Sequence, residues 1–161
     1  MKKKFAAMFM AAAMVFTMAA CGQKADTPST PDADGSGDQS GAEVQTFVLG
    51  SCGPLTGSAA IYGQAVANGA AIAVEEINAA GGDIQFELKS EDDVNDGETS
   101  VNAYNTLKDW GMQISLGSVT SKPGEATSVL NNQDRIFALT PSASSTAVIE
   151  GKDNVYQMCF T

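Results

Sequence analysis

Hydrophobic and polar positions follow two spacings along residues 44–161, and these spacings predict strands and helices in turn. The apolar run VQTFVLG (44–50) predicts a buried strand. In IQFELKSED (84–92), Ile84, Phe86 and Leu88 alternate with polar residues, which predicts a strand with one inward face. Three later segments, MQISLGS (112–118), RIFALT (135–140) and NVYQMCF (154–160), predict further strands.

Helical spacing separates these strands, over 60–79, 97–110 and about 123–132. In the first two segments small or apolar residues recur three or four positions apart: Val66, Ala70, Ala73 and Ile77, then Val101, Tyr104 and Leu107. Gly81, Gly82 and Gly111 follow as stop signals. Because strands that alternate with helices form parallel sheets, the sequence predicts an α/β fold: a Rossmann-like, doubly wound parallel sheet with helices on both faces.

The first twenty residues have the pattern of a secretory signal peptide. Three lysines (2–4) precede the apolar run Phe5–Thr17, which is shorter than the roughly 20 apolar residues of a membrane span. The small residues Ala19 and Ala20 then precede Cys21, and MAAC resembles a bacterial lipobox, in which this cysteine receives lipid. We therefore expect a lipoprotein signal peptide over 1–20 and lipidation of Cys21, with an ordinary secretory signal as the alternative.

Residues 21–44 predict a flexible acidic tether. The segment GQKADTPSTPDADGSGDQSGAE (22–43) has no large apolar residue, so it cannot bury enough surface to offset the entropy of ordering. A tether of this kind suits a domain held at a membrane by its lipid. We expect localisation outside the cytoplasm, at the outer face of the cell membrane or in the periplasm.

Composition limits the possible partners. The 161 residues carry a formal net charge of -10, and only nine are Lys or Arg, three of them in the leader. Nucleic-acid affinity depends on clustered basic residues, so no nucleic-acid partner is expected. At 43% hydrophobic residues, the chain is long enough for about one domain with a real core.

Three loops lie where strands end, which is where open α/β sheets bind ligands. The first, GSCGPLTG (50–57), has neither the lysine of a Walker loop nor the spacing of a dinucleotide loop, so it should line a cleft without holding phosphate. GSVTSKPGEA (117–126) enters a helix, and its free amides beside Ser121 suit a carboxylate. TPSASS (140–145) offers carbonyls and hydroxyls that suit an ammonium group.

Together the segments GPLTGSAAIYG, INAAGG, EDD, LGSVTS and ALTPSASS resemble, in order and spacing, the first lobe of the leucine/isoleucine/valine-type amino-acid-binding proteins of ABC importers. The resemblance covers about 46–161 and implies an N-terminal ligand-binding lobe over 45–161, from a two-lobed periplasmic-binding-protein fold of type I. It also implies a fragment, a monomer, an aliphatic amino acid as ligand and a permease as partner. Here Ser142 and Ser144 stand where relatives often have Ala and Thr.

The resemblance assigns roles to four residues. It implies that Ser121 binds the ligand carboxylate, that the main-chain carbonyl of Ser142 and the hydroxyl of Ser144 serve the ammonium, and that Tyr62 lies beside the ligand. Local roles compete with these and stay open: Ser121 as a helix cap, Ser144 or Ser145 as the cap of a short helix through Ile149, and packing beneath the first helix for Tyr62. The acids 91–93 are expected to be solvated or loop-capping rather than metal ligands.

An enzyme is the main rival class, and the composition disfavours it. The chain contains no histidine, so neither a Ser–His nor a Cys–His pair can be built from it. We expect no catalysis, no cofactor and no metal. Pairing of Cys52 with Cys159 stays open, as do a ligand-sensing ectodomain and an amide- or urea-binding relative of the same fold.

Overall fold

The computed structural model describes residues 43–161. They form nine elements in the order β1 (Gln45–Gly53), α1 (Ala60–Ala79), β2 (Ile84–Asp92), α2 (Gly97–Trp110), β3 (Ile114–Ser118), α3 (Ser121–Asp134), β4 (Phe137–Thr140), a short 3₁₀ helix (Thr146–Val148) and β5 (Val155–Gln157). The predicted alternation of strands and helices is confirmed. The expected signal peptide, the lipidation of Cys21 and the tether up to residue 42 lie outside the described residues.

The five strands form one sheet in the order β2-β1-β3-β4-β5, and every neighbouring pair is parallel. β1 pairs with β2 along nine residues, from Gln45 opposite Ile84 to Gly53 opposite Asp92. Right-handed crossovers place α1 on one side of such a sheet and α2 and α3 on the other. The predicted α/β fold with a doubly wound parallel sheet is confirmed.

The predicted bounds of α1, α2 and β2 match the structure, and α2 shows why. The side chain of Asp96 accepts hydrogen bonds from the N–H groups of Glu98 and Thr99, both at 3.0 Å, and so caps the start of the helix. Gly111 ends it in the left-handed conformation, with φ of 106°. Both signals are local, so they can be recognised in the sequence.

The other bounds differ from the prediction by a few residues. α3 begins at Ser121, two residues earlier than expected, because the extended backbone of Thr120 occupies the cap position. β4 begins at Phe137 rather than 135, because Arg135 ends α3 with a left-handed φ of 59°. β5 is three residues long instead of seven.

The side of the sheet under α2 and α3, called here the covered face, holds the buried core. One cluster joins β1 to α2 and a second joins β4 and β5 to the segment after β4: Cys52, Ala103, Tyr104, Leu107 and Met112, then Ala138, Ala143, Val148 and Val155. The Tyr104 hydroxyl donates to Asp134 at 2.9 Å, and Lys108 pairs with the same carboxylate at 2.6 Å. These contacts hold α2 against α3.

The opposite side of β3, β4 and β5, called here the open face, is largely uncovered. α1 packs mainly on β1 and β2, and Phe137 and Tyr156 remain 46% and 51% exposed. Beside α1 lies an apolar depression of about 290 Å³, lined by Val66, Gly69, Ala70, Leu116, Leu139, Pro141 and Met158. The predicted apolar side of α1 is only partly buried, since Ile77 at its end is 46% exposed.

No helix among residues 43–161 is long and apolar enough to cross a membrane.

Candidate ligand-binding site

The loops that follow the strands meet at one edge of the sheet, because all neighbouring strands are parallel. Gly53, the last residue of β1, shows how closely they approach. A Cβ on Gly53 would lie 2.7 Å from Cγ2 of Val119 and 3.4 Å from Cα of Gly63. The first turn of α1 therefore lies beside the loop between β3 and α3, and only glycine fits between them.

Three of the four predicted ligand residues come together in the loops after β3 and β4. The Ser121 Oγ accepts hydrogen bonds from the backbone N–H groups of Ser144 and Ser145, each at 3.2 Å. The Ser142 hydroxyl donates to the carbonyl of Val119 at 2.6 Å. We call Ser121, Ser142 and Ser144 the serine group.

The competing cap roles of Ser121 and Ser144 are not what the structure shows. Thr120, not Ser121, occupies the cap position of α3, and Ser121 lies in the first turn. The short helix that the sequence predicted after Ser144 is present, with Ser145 at its cap position but no side-chain cap hydrogen bond. The Ser121 side chain therefore links the start of α3 to the loop after β4 and does not cap its own helix.

The serine group is rich in hydrogen-bond donors. The Ser121 hydroxyl accepts from the N–H groups of Ser144 and Ser145 and can donate its own proton, and it lies at the start of α3, where the first N–H groups of a helix have no partner within it. Such a start carries a partial positive charge and favours anions. The arrangement is chemically suited to a carboxylate.

Sequence reasoning missed Thr140, whose buried side chain holds the loop after β4 in place. Its buried hydroxyl donates to the carbonyl of Ser118 at 2.6 Å and accepts from the N–H of Ala143 at 3.2 Å. It therefore fixes the turn after β4 to the end of β3. The available signal was a hydroxyl residue directly before Pro141 at the end of a strand.

Tyr62 lies in the first turn of α1, where its side chain is 63% exposed. The alternative of ordinary packing beneath α1 does not fit that exposure. No hydrogen bond joins it to the serine group among the described residues. The structure places Tyr62 at the same edge of the sheet and leaves its contact with a ligand as a prediction.

The acids at the end of β2 divide into two environments. Asp92 accepts hydrogen bonds from the first loop, at Leu55 and Thr56, as expected of a loop-capping acid. Asp93 is fully buried and accepts from the N–H of Asn95 at 2.9 Å, so of the two expected roles it has the loop-capping one and is not solvated. Burial, together with the charges of Asp92 and Asp96, raises the pKa of Asp93 to about 6. Within residues 43–161 no group of acidic or cysteine side chains could hold a metal ion.

Neither Cys52 nor Cys159 forms a disulfide within the described residues. Burial raises the pKa of the Cys52 thiol to about 12, and the nearby carboxylates of Asp93 and Glu91 add to the effect. Because the thiolate is the reactive form, Cys52 is a core side chain and not a nucleophile. The Cys159 thiol donates to the carbonyl of Ala143 at 3.3 Å.

Comparison with known proteins confirms the predicted fold, the first lobe of a type I periplasmic-binding protein. The model of the family described as "Periplasmic binding protein" matches residues 46–161. A Leu/Ile/Val-binding protein of Rhizobium johnstonii is 33% identical over 116 residues, which cover 70% of this chain and 32% of that protein. A Leu/Ile/Val-binding protein homologue of Brucella melitensis is 33% identical over 122 residues, covering 73% of this chain and 33% of its own length.

Among solved structures, the branched-chain amino acid transporter substrate-binding protein of Streptococcus pneumoniae in complex with isoleucine superposes with a TM-score of 0.68 at 28% identity. The match covers 73% of this chain and 34% of that one. The chain thus spans about a third of the length of the relatives it matches.

Proposed function

This chain belongs to the periplasmic binding protein family, and from that premise we propose that it captures an amino acid outside the cytoplasm and delivers it to the permease of an ABC importer. The proposed ligands are leucine, isoleucine, valine or another aliphatic amino acid. The names of the Rhizobium and Brucella relatives and the isoleucine complex of the Streptococcus protein support this choice.

The observation that carries the proposal is the hydrogen bonding around Ser121. Its Oγ, at the start of α3, accepts from the N–H groups of Ser144 and Ser145 in the loop after β4. The hydroxyl can still donate its own proton, and together with the first N–H groups of α3 it suits the α-carboxylate that every amino acid has.

The ammonium group needs acceptors, and the loop after β4 supplies them. As the resemblance implies, the main-chain carbonyl of Ser142 is the group proposed to accept from the ammonium, assisted by the Ser144 hydroxyl. The Ser142 hydroxyl donates to Val119 and holds the loop in place. A second lobe would close over the ligand by a hinge and contribute the remaining contacts. Relatives about three times as long support this part of the proposal.

Delivery to a permease fits a monomeric, lipid-anchored protein, with Cys21 as the anchor and residues 21–44 as the tether. The role needs no catalysis, and the absence of histidine from the sequence supports a binding role over a Ser–His hydrolase. Cell fractionation tests the anchor. Cys21→Ala should leave the membrane fraction, and its retention there at the wild-type level would contradict the anchor.

Calorimetric titration of the complete two-lobed protein tests the ligand site. Ser121→Ala removes a hydroxyl that contacts a charged group, which costs on the order of 1.5–3 kcal/mol, or roughly 10- to 150-fold in affinity. The loss should be alike for leucine, isoleucine and valine, because the carboxylate is common to all three. Ser142→Ala is the matched control and should change affinity little, since its carbonyl is retained.

Two results would contradict the assignment. If Ser121→Ala stayed within twofold of wild type for every amino acid, the carboxylate would not bind there. If only a short aliphatic amide bound the wild-type protein, an amide-binding relative would be the better identification.

A further inference from the structure

We propose that Asp92 is a positioning residue for the ligand site, whose carboxylate ties the loop between β1 and α1 to the end of β2 and so holds Tyr62 beside the ligand. This inference rests on the proposed function and deepens it, because Asp92 itself is argued to act through the loop and not to touch the ligand.

The carboxylate makes three contacts across the edge of the sheet. Asp92 Oδ1 accepts from the N–H of Leu55 at 2.8 Å, and Oδ2 accepts from the Thr56 hydroxyl at 2.5 Å. Oδ1 also accepts from the N–H of Val94 at 2.9 Å. Since Asp92 lies opposite Gly53 in the register of the sheet, it receives the loop at the point where β1 ends. One side chain therefore holds two consecutive loop residues.

Two contacts fix the first turn of α1, which contains Tyr62, to the same loop. The side-chain amide of Gln64 donates to the carbonyl of Leu55 at 2.8 Å, which joins the first turn of α1 back to the loop. Gly63 packs against Pro54 so closely that a Cβ would overlap the Pro54 carbonyl. Tyr62 adjoins Gly63, so displacement of Leu55 shifts the backbone that carries the tyrosine.

The backbone of the turn after Asp92 is strained, and hydrogen bonds to Asp92 and Asp93 stabilise it. Val94 and Asn95 both have left-handed backbone, with φ of 44° and 62°. A β-branched residue rarely adopts that conformation, and such strain persists only where surrounding contacts enforce it. Asp92 holds the N–H of Val94, and Asp93 Oδ1 holds that of Asn95 at 2.9 Å.

The carboxylate form is the one that suits these donors. Burial pulls the pKa of Asp92 upward, but the hydrogen bonds from the Thr56 hydroxyl and from backbone N–H groups outweigh it and hold the pKa below the ordinary value. At neutral pH Asp92 is therefore charged, and both oxygens accept hydrogen bonds.

Calorimetric titration of the two-lobed protein with leucine tests the inference. Asp92→Asn replaces one acceptor oxygen by an amide that cannot accept from the loop, and affinity should fall about tenfold, because the loop and Tyr62 are then no longer held in the binding position before the ligand arrives. Thr56→Val is the milder variant, at an exposed position, and should fall about threefold. Asp109→Asn removes an equal charge at the far end of α2 and should bind as wild type.

A double-mutant cycle separates positioning from plain stabilisation. If Asp92 acts through Tyr62, the effect of Asp92→Asn should shrink to less than twofold in a Tyr62→Ala background, because coupled residues are not additive. An undiminished penalty in that background, or wild-type affinity of both Asp92→Asn and Thr56→Val, would overturn the inference.

Amide hydrogen exchange of the same proteins without ligand tests the inference independently of the proposed function. The amides of residues 55–63 should exchange faster in Asp92→Asn than in wild type, while those of α3 stay unchanged. Unchanged exchange in 55–63 would overturn the inference even if leucine bound. Failure of the wild-type protein to bind any amino acid would instead overturn the proposed function.

Discussion

The two faces of the sheet differ in what lies over them. On the covered face Tyr104 and Leu107 are each 1% exposed, and the packing of α2 on α3 seals the core. On the open face the rings of Phe137 and Tyr156 stack on each other at 5.4 Å and remain about half exposed. The strands are the same, so the difference lies in the helices and not in the sheet.

The difference between the two faces of the sheet is visible in the residues of β4. Its residues alternate, with Ala138 and Thr140 buried toward α3 and with Phe137 and Leu139 toward the open face. Both sides are largely apolar, as expected of a parallel strand that is buried on both faces. The open face thus has the sequence of an interior surface in a chain that spans a third of its relatives' length.

A matched pair of leucines gives the largest expected effect. In the chain of residues 43–161, Leu107→Ala should lower the free energy of unfolding by about 3 kcal/mol, because it leaves a cavity in a buried cluster. Leu139→Ala makes the same change on the open face and should cost about 1 kcal/mol, since its side chain is only half-buried. Urea denaturation measures both, and equal costs would break the comparison.

The next largest expected effect is a pH dependence of stability that Asp93 causes. Its pKa of about 6 lies above the ordinary value, so its contribution to stability is complete below about pH 4 and is lost as pH rises through 6. The wild-type chain should therefore lose on the order of 1–2 kcal/mol between pH 5 and pH 7.5 relative to Asp93→Asn. The carboxyls of Asp92 and Asp96, whose pKa values are lowered, titrate below this window.

Urea denaturation of the two proteins at both pH values measures this difference. Parallel pH profiles for wild type and Asp93→Asn would show that the buried carboxyl has no raised pKa.

The smallest expected effect on stability comes from the open face itself. Phe137→Ser should cost about 1 kcal/mol, mainly the stacking on Tyr156, yet it should make residues 43–161 more soluble because it removes an exposed apolar ring. Static light scattering at rising concentration measures the change. Greater association of the variant would contradict the expectation that the exposed ring of Phe137 promotes association.

The fold was predictable because its signals are local. The cap at Asp96 and the glycine at 111 set both ends of α2, and the alternation in 84–92 set β2. The ends of β4 and β5 were not predictable, because they depend on partner strands and on the left-handed conformation of Arg135. The expected apolar side of α1 follows helical spacing, but spacing does not reveal how much of a sheet one helix covers.

The sequence predicted which serines lie in the loops of the candidate site, but not the contacts that these serines make. Hydroxyls after parallel strands pointed to Ser121, Ser142 and Ser144. The bond from the Ser144 N–H to the Ser121 Oγ joins residues 23 positions apart, and no spacing in the sequence encodes it. The contacts of Asp92 with Leu55 and Thr56 span 37 and 36 positions and were equally hidden.

The strand order also has a consequence for how the protein is made. β3 lies beside β1 on the side away from β2, and β4 and β5 follow outward in chain order. Among residues 43–161, no strand lies between two strands that both precede it in the chain. The sheet can therefore grow in step with the ribosome from its N-terminal half, and the part of the nascent chain that most needs protection at any moment is its latest strand.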